Sequence, residues 1–453
     1  MPKIKIKDNS LISKYKLGEV NKITEKIADK TLKQLEKEGV FVFPEMINDA
    51  EDITKDLMIL QSVNDDYRTS NVMGFLGYGD ERIVIESRFS SSEHDFFFQY
   101  LLERVLDFPN ILELNTDGNQ DKRFFNLLVF LFPLYLKKAM RKGAFKTYTR
   151  NLYNDSNVKG TIDITRHIKN NTPFRGNIAY SKREFSFDNY LMQLIRHTIE
   201  FIKIKPYGNN LLVKVKDEIR SVFEFTGNYE YHNRIKIISK NKRNMVSHAY
   251  YHEYRELQRL CLMILRHDKH QIGTGERQIY GILFDGSWLW EEYINSLFLE
   301  YDIKFYHPMN KKGEGTQWLF TDCYGNLQGK IYPDFLSQTV QDRIIADAKY
   351  KTINNIGNKD YLQLLAYMFR FDAKMGYYFY PDNKINDKEE FRMNKGSKYE
   401  HNVKPRNDIC VIKLGLQIPN DAISYDGNDG FVSKIKISET EFIDKILLRD
   451  NFE

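Results

Sequence analysis

The chain has 453 residues, 42% hydrophobic and 28% charged, with 67 Lys and Arg against 62 Asp and Glu for a net charge of +5. That length exceeds one ordinary core and predicts two or three domains, and 31 Phe and 29 Tyr supply large side chains to fill them. The composition is that of a soluble globular protein, and the weak positive balance, with both signs interspersed, permits a nucleic-acid partner without requiring one.

Cys261, Cys323 and Cys410 stand far apart with no CxxC pair, which predicts a reducing compartment and neither disulfides nor a thiolate zinc site. The opening MPKIKIKDNSLISKYKLG lacks the apolar core of a signal peptide. The most hydrophobic run, FFNLLVFLFPLYLKK from Phe124, carries a proline, is too short to span a bilayer and reads as a buried helix. The chain is expected to be cytoplasmic, with no membrane partner.

Taken in order, residues 1–150 read as a mixed N-terminal region. ITEKIADKTLKQLEKEG forms one amphipathic helix closed by Gly39, GVFVFPE a short strand and ERIVIESRF another, followed by a helix from His94 to Val105 and the apolar run. Residues 151–275 read as mostly helical. VKGTIDITRHIKNN is a turn, a short strand and a helix start. In REFSFDNYLMQLIRHTIEFIKIK the apolar Leu191, Leu194, Ile195, Ile199 and Ile202 recur at helical spacing after Asp188 as N-cap. HAYYHEYRELQRLCLMILRH is a second long helix.

The glycine-rich QIGTGERQIYG marks a boundary, and residues 276–453 alternate helices with strands. SWLWEEYINSLFLEY is a helix, and IKFYHP, GKIYPDFLS and RIIADAKYK are strands. DYLQLLAYMFRF is a helix and GYYFYP a strand, which gives the order αβββαβ of a mixed sheet flanked by helices. CVIKLGLQI and FVSKIKI read as further strands, ETEFIDKILLRD as a helix, and the charged stretch from Asp382 to Asp408 as a loop.

The chemistry concentrates in the last region. On a strand, Asp347 and Lys349 point to one side while Ala346 and Ala348 pack on the other. Asp334, after Pro333 on the preceding strand, brings a second carboxylate alongside, and two converging carboxylates repel unless a cation lies between them. Oxygen ligands with open positions suit magnesium, which activates water and polarises a phosphate, while Lys349 offsets negative charge. In WLWEEYI, Glu291 lies at the edge of an apolar helix face and offers a third carboxylate ligand. In YLQLLAY, Gln363 and Tyr367 share a helical face, and the amide can reach the metal water or a DNA backbone. A lone Asp-x-Lys is common on surface hairpins. Pro-Asp followed by Asp-Ala-Lys and a Gln-bearing helix is far more specific.

These residues carry a resemblance. YPDF, ADAKYK, YLQLLAY and YYFYP together resemble the catalytic core of the PD-(D/E)XK nuclease superfamily. More narrowly, the chain is similar to the McrC subunit of McrBC-type restriction systems, the LlaJI-like group included, through VKGTIDITRHI, REFSFDNYLMQLI and LWEEYI as well. The resemblance spans roughly Val158 to Pro381, leaves the first 140 residues unmatched and departs at Trp290, where the family carries a different aromatic. It implies a magnesium-dependent endonuclease with catalytic Asp334, Asp347 and Lys349, helix Glu291 and Gln363. It further implies double-stranded DNA as substrate and a McrB-like AAA+ GTPase as the partner on which cutting depends. The alternatives are a standalone nuclease of repair or mobile-element type, and a non-catalytic subunit that stimulates a motor.

Other features read as ordinary structure. His248 and His252 lack the HExxH pattern. NRIKIISKNKRN, read as a strand with Arg234 and Lys236 on one face, is a weaker candidate for phosphate contact, and its simpler reading is a solvated edge. No G-x-x-x-x-G-K-[ST] segment occurs, so nucleotide hydrolysis is expected elsewhere, and Arg175 is one of many candidates for a finger acting on a partner GTPase.

Overall fold

The computed structural model describes residues 2–43, 57–90, 95–106, 120–267, 279–308, 315–339, 343–384, 388–396 and 403–447. The fold is mixed α/β, with several sheets and helices. Its contacts divide it into two compact units, one made of Met1–Asn115 with Gly273–Glu453 and the other of Thr116–Ile272.

The first unit contains a five-stranded sheet in the order Lys3–Lys7, Glu81–Glu86, Val72–Tyr78, Ile279–Asp285, Val40–Phe43. The outer pairs are parallel and the inner ones antiparallel. Strand Ile279–Asp285 thus lies between two strands some two hundred residues earlier in the chain. Gly74 permits this approach: it adopts φ +140°, and a Cβ there would lie 2.1 Å from the Ile282 carbonyl oxygen. One face of the sheet packs Ile4, Ile6, Val40, Val42, Ile83, Ile85 and Leu283 onto Val20, Ile23, Ile27 and Leu35. Val20 ends the short turn Lys16–Val20, and Ile23, Ile27 and Leu35 come from the stretch expected as one helix, which is two, Asn21–Ile27 and Leu32–Glu38. Asp29 turns into the left-handed region at φ 55°, and a Thr31–Gln34 capping box restarts the helix, with Thr31 N donating to Gln34 Oε1 at 2.8 Å. Gly39 closes it at φ 110°. The helix expected from His94 spans Phe96–Leu106, and His94 itself lies outside the described residues.

The same unit carries a six-stranded sheet in the order Phe305–Tyr306, Phe335–Ser337, Ile344–Ala348, Met375–Asp382, Lys404–Gln417, Glu389–Lys395. Its central pairs, Ile344–Ala348 with Met375–Asp382 and the latter with Lys404–Gln417, are parallel. Helix Asn358–Phe371 makes the crossover that the first parallel pair requires. Leu364, Tyr367 and Met368 of that helix bury against Ile345, Tyr378 and Tyr380 of the sheet.

Several expectations for this region are corrected. GKIYPDFLS is two strands, Leu327–Ile331 and Phe335–Ser337, and the first pairs with Gln317–Thr321 in a separate hairpin that the order αβββαβ lacks. The supposed loop from Asp382 to Asp408 contains strand Glu389–Lys395 and the start of Lys404–Gln417. FVSKIKI is helical, within Phe431–Leu447, because Phe431, Ile435, Ser438, Glu439, Phe442, Ile443 and Ile446 bury one helical stripe. The local Ile435/Ile437 alternation misleads, since Ile437 is exposed.

The second unit packs helices Gln120–Met140, Tyr190–Lys203 and His252–His267 with shorter ones, and adds a three-stranded antiparallel sheet of Thr147–Asp155, Ile178–Ser186 and Thr161–Ile162. Asn189, not Asp188, caps Tyr190–Lys203: its Oδ1 accepts from Leu191 N and Met192 N, both at 3.1 Å. Asp188 instead accepts from Gln193 Nε2 at 2.7 Å. The basic NRIKIISKNKRN, expected as a strand, is helix Arg234–Arg243, burying Ile237 and Asn241 four residues apart. Arg175 sits in an exposed loop. Among the described residues no helix is long and apolar enough to cross a membrane.

Candidate functional site

Strand Ile344–Ala348 is buried along its whole length, flanked by an antiparallel neighbour at Phe335–Ser337 and a parallel one at Met375–Asp382. Asp347, opposite Tyr378, is 2% exposed. A carboxylate at such a place needs compensating partners. Asp334 reaches it from the neighbouring strand's start: Ala348 N donates to Asp334 Oδ2 at 2.8 Å. The carboxylate thereby takes the position of a ladder carbonyl just past the last residue pair, and it is fixed beside Asp347.

Lys349 follows the strand, with its N–H donating to Phe379 O at 2.8 Å. Its ammonium lies 2.5 Å from Asp347 Oδ2, donates to Gln363 Oε1 at 3.1 Å and stands 3.7 Å from Asp360. Gln363 Nε2 in turn donates to Tyr367 OH at 2.6 Å, so both ends of the amide are used and the helix holds the lysine head.

Helix Gly286–Glu300 brings the third carboxylate. Asp285 caps it, accepting from Ser287 N at 2.8 Å, and Trp290, fully buried, donates its indole N–H to Phe379 O at 3.0 Å. That carbonyl also receives Lys349 N, so the helix and the residue following strand Ile344–Ala348 meet on one atom. Glu291 is 8% exposed and faces inward, while Glu292 is half-buried.

The electrostatics follow from this crowding. Burial pushes the Asp334 carboxyl well above the ordinary carboxylate range, and the charges of Glu291 and Asp347 push it further. Burial alone would depress the Lys349 ammonium, but Asp347 and Asp334 outweigh it and hold the group above the usual lysine range.

Two neighbours escaped sequence reasoning. His307 stacks on Phe335 with ring centroids 4.8 Å apart, its Nδ1 lies 2.9 Å from the Asp334 carbonyl, and its Nε2 stands 3.6 Å from Glu292 and 3.9 Å from Glu291. Asp360 accepts from Lys351 at 2.9 Å and from Gly357 N at 3.1 Å, and so joins the crossover helix to the segment after strand Ile344–Ala348. A lone His after a two-residue strand carries no sequence signal, whereas Asp360 in the first helical turn could have been found as an N-terminal acid.

Among the described residues no three His, Cys, Asp or Glu side chains form a preformed metal cage. A small hard cation does not need one: magnesium keeps several waters and binds through one or two carboxylates together with substrate phosphates. Asp334 and Asp347 could supply that donor set, and Asp347 Oδ2 is buried with its charge answered by the Lys349 ammonium. These are the residues that could hold such an ion.

Residues 67–381 match the family described as "McrBC 5-methylcytosine restriction system component". The chain belongs to the McrBC family. The matched segment contains Glu291, Asp334, Asp347, Lys349 and Gln363. None of the curated proteins matches the chain. A refined half-complex from a tetradecameric assembly of Thermococcus gammatolerans McrB AAA+ hexamers with bound McrC aligns at 12% identity and a TM-score of 0.47, over 98% of this chain and 100% of that one. A cryo-EM structure of the Thermococcus gammatolerans McrBC complex aligns at 13% identity and a TM-score of 0.30, over 67% and 89%. Superpositions this loose do not define the fold of the McrBC chain described here.

Proposed function

We propose that this McrBC-family chain is the nuclease subunit, a McrC-like endonuclease with a PD-(D/E)XK centre that hydrolyses phosphodiester bonds of double-stranded DNA in the cytoplasm. The observation that carries the reading is the meeting of Asp334, Asp347, Lys349 and Gln363 at one end of strand Ile344–Ala348. Magnesium, held by Asp334 and Asp347 with Glu291 beside them, supplies when bound a water of lowered pKa and a polarised phosphate. Lys349 keeps its proton and presents the ammonium to charge developing on the scissile phosphate. Gln363, itself held by Tyr367, limits the swing of that ammonium. The buried strand keeps the carboxylates in place, so little reorganisation is needed as substrate arrives.

The sequence has no nucleotide-binding loop, so GTP hydrolysis falls to a second subunit, a McrB-like AAA+ GTPase, and cutting depends on it. The test is to incubate the protein with supercoiled methylated and unmethylated plasmid, magnesium and GTP, with and without a McrB-like GTPase from the same source. Cleavage that requires both magnesium and the GTPase supports the reading. Cleavage without the GTPase overturns the two-component part, and no cleavage in any mixture overturns the whole.

A further inference from the structure

The backbone one residue past Lys349, at Tyr350, is held by residues some 260 positions earlier. Two residues past the end of strand Ile344–Ala348, the Tyr350 side chain packs against Ser87, Arg88 and Phe89. It enters the N-terminal half of the same unit, where it is 1% exposed. Its hydroxyl is 2.7 Å from Ser87 Oγ, and its ring packs edge-on to Phe89 with centroids 5.2 Å apart. Arg88 closes the grip: one guanidinium nitrogen donates to the Tyr350 carbonyl oxygen, and its carbon lies 4.6 Å from the centroid of the Tyr350 ring. The other nitrogen donates to Asn71 Oδ1 at 3.1 Å and faces Asp8 Oδ2 at 3.6 Å. Asp8 Oδ1 accepts from Arg88 N at 2.6 Å, and Asn71 O accepts from Gly286 N at 2.8 Å, at the start of the Glu291 helix. Arg88 is half-buried, and besides pairing with the buried Asp8 it holds the backbone carbonyl next to the lysine. One planar fork serving a carbonyl, an amide and a carboxylate is a fixing device that a lysine cannot copy.

We propose that Arg88 is a positioning residue for the reaction: through the Tyr350 carbonyl and ring it sets the backbone from which Lys349 reaches the scissile phosphate. This rests on the nuclease reading above. It also makes the N-terminal sheet part of the cleavage machinery, so that anything that shifts Arg88 acts on Lys349 without touching DNA.

The test uses the full chain assembled with its GTPase, as wild type, Arg88→Ala and Arg88→Lys. Single-turnover cleavage is measured at saturating DNA and magnesium, alongside DNA affinity, and hydrogen exchange is followed over residues 344–351. The proposal expects both variants to lose at least tenfold in rate with DNA affinity within twofold. It expects faster exchange at the Lys349 amide while the five-stranded sheet keeps its protection. If Arg88→Ala fails to fold, Arg88→Lys, which keeps the charge facing Asp8, decides alone. A folded variant with wild-type rate and unchanged exchange at Lys349 overturns the proposal and leaves the nuclease reading standing. A wild-type complex that never cleaves overturns the nuclease reading, and the proposal falls with it.

Discussion

The backbone N–H of Ala348 donates to Asp334 Oδ2 at 2.8 Å, so the carboxylate that opens one strand is fastened to the end of the next. Asp334 thereby serves two ends that conflict. It completes a ladder position, and it adds negative charge beside Asp347 and Glu291. Asp334→Asn keeps an acceptor for Ala348 N and removes the charge. Without magnesium the variant is expected to be at least as stable as wild type, because burial and the Glu291 and Asp347 charges already disfavour the Asp334 carboxylate. Its cleavage should nevertheless be lost. Chemical denaturation without magnesium, beside a plasmid assay with it, checks both halves.

Gln363 holds the lysine head at 3.1 Å and is itself held by Tyr367 at 2.6 Å. Gln363→Ala is expected to slow cleavage roughly tenfold, equivalent to about 1.4 kcal/mol of barrier. DNA affinity should be unchanged, because the amide acts on Lys349 rather than on bulk binding. Single-turnover rates against DNA concentration separate the two.

Trp290 joins helix Gly286–Glu300 to strand Met375–Asp382 through Phe379 O, and its ring lies edge-on to Phe97 with centroids 6.3 Å apart. Trp290→Phe removes the donor and part of the ring and is expected to destabilise the first unit by roughly 1–3 kcal/mol. The midpoint of urea unfolding, followed by a probe in that unit, reports it.

His197, buried in the helical unit beside Tyr229, is pushed down to about 4 by burial and by the charges of Arg234 and Arg196. Its folded value lies below its unfolded one, so between them the unfolded chain binds the extra proton. The stability contribution is full above about pH 6.5 and is lost as pH falls toward 4, with a slope of at most about 1.4 kcal/mol per pH unit. The His197 ring resonances should titrate near pH 4, and His197→Gln should flatten the acid limb of stability in that unit.

What was legible in the sequence follows from range. Strand Ile344–Ala348, the crossover helix with Gln363 and Tyr367, and the cap-led helix with Trp290 and Glu291 are written in spacings of two to four residues. Pattern reading therefore finds them. The insertion of Ile279–Asp285 between Val40–Phe43 and Val72–Tyr78 is a pairing across two hundred residues that no local pattern encodes. His307 is in the same position, since its meaning lies in the Asp334 carbonyl 27 residues away. Errors of element type arose where short alternation mimicked a strand. In FVSKIKI and NRIKIISKNKRN the longer helical period decides the structure, with Ile435 and Ile443 or Ile237 and Asn241 on the buried face.

The most direct measurement takes the complex with the GTPase and compares wild type with Lys349→Ala for two activities in one tube, plasmid cleavage and GTP hydrolysis. On the proposed reading, the ammonium 2.5 Å from Asp347 serves cutting and not the nucleotide cycle. The expected result is cleavage reduced by roughly 10²-fold or more, as for loss of a charge-stabilising donor, with GTP hydrolysis intact. Cleavage by Lys349→Ala at the wild-type rate would show that phosphodiester hydrolysis, if this chain performs it, does not run through Asp334, Asp347 and Lys349.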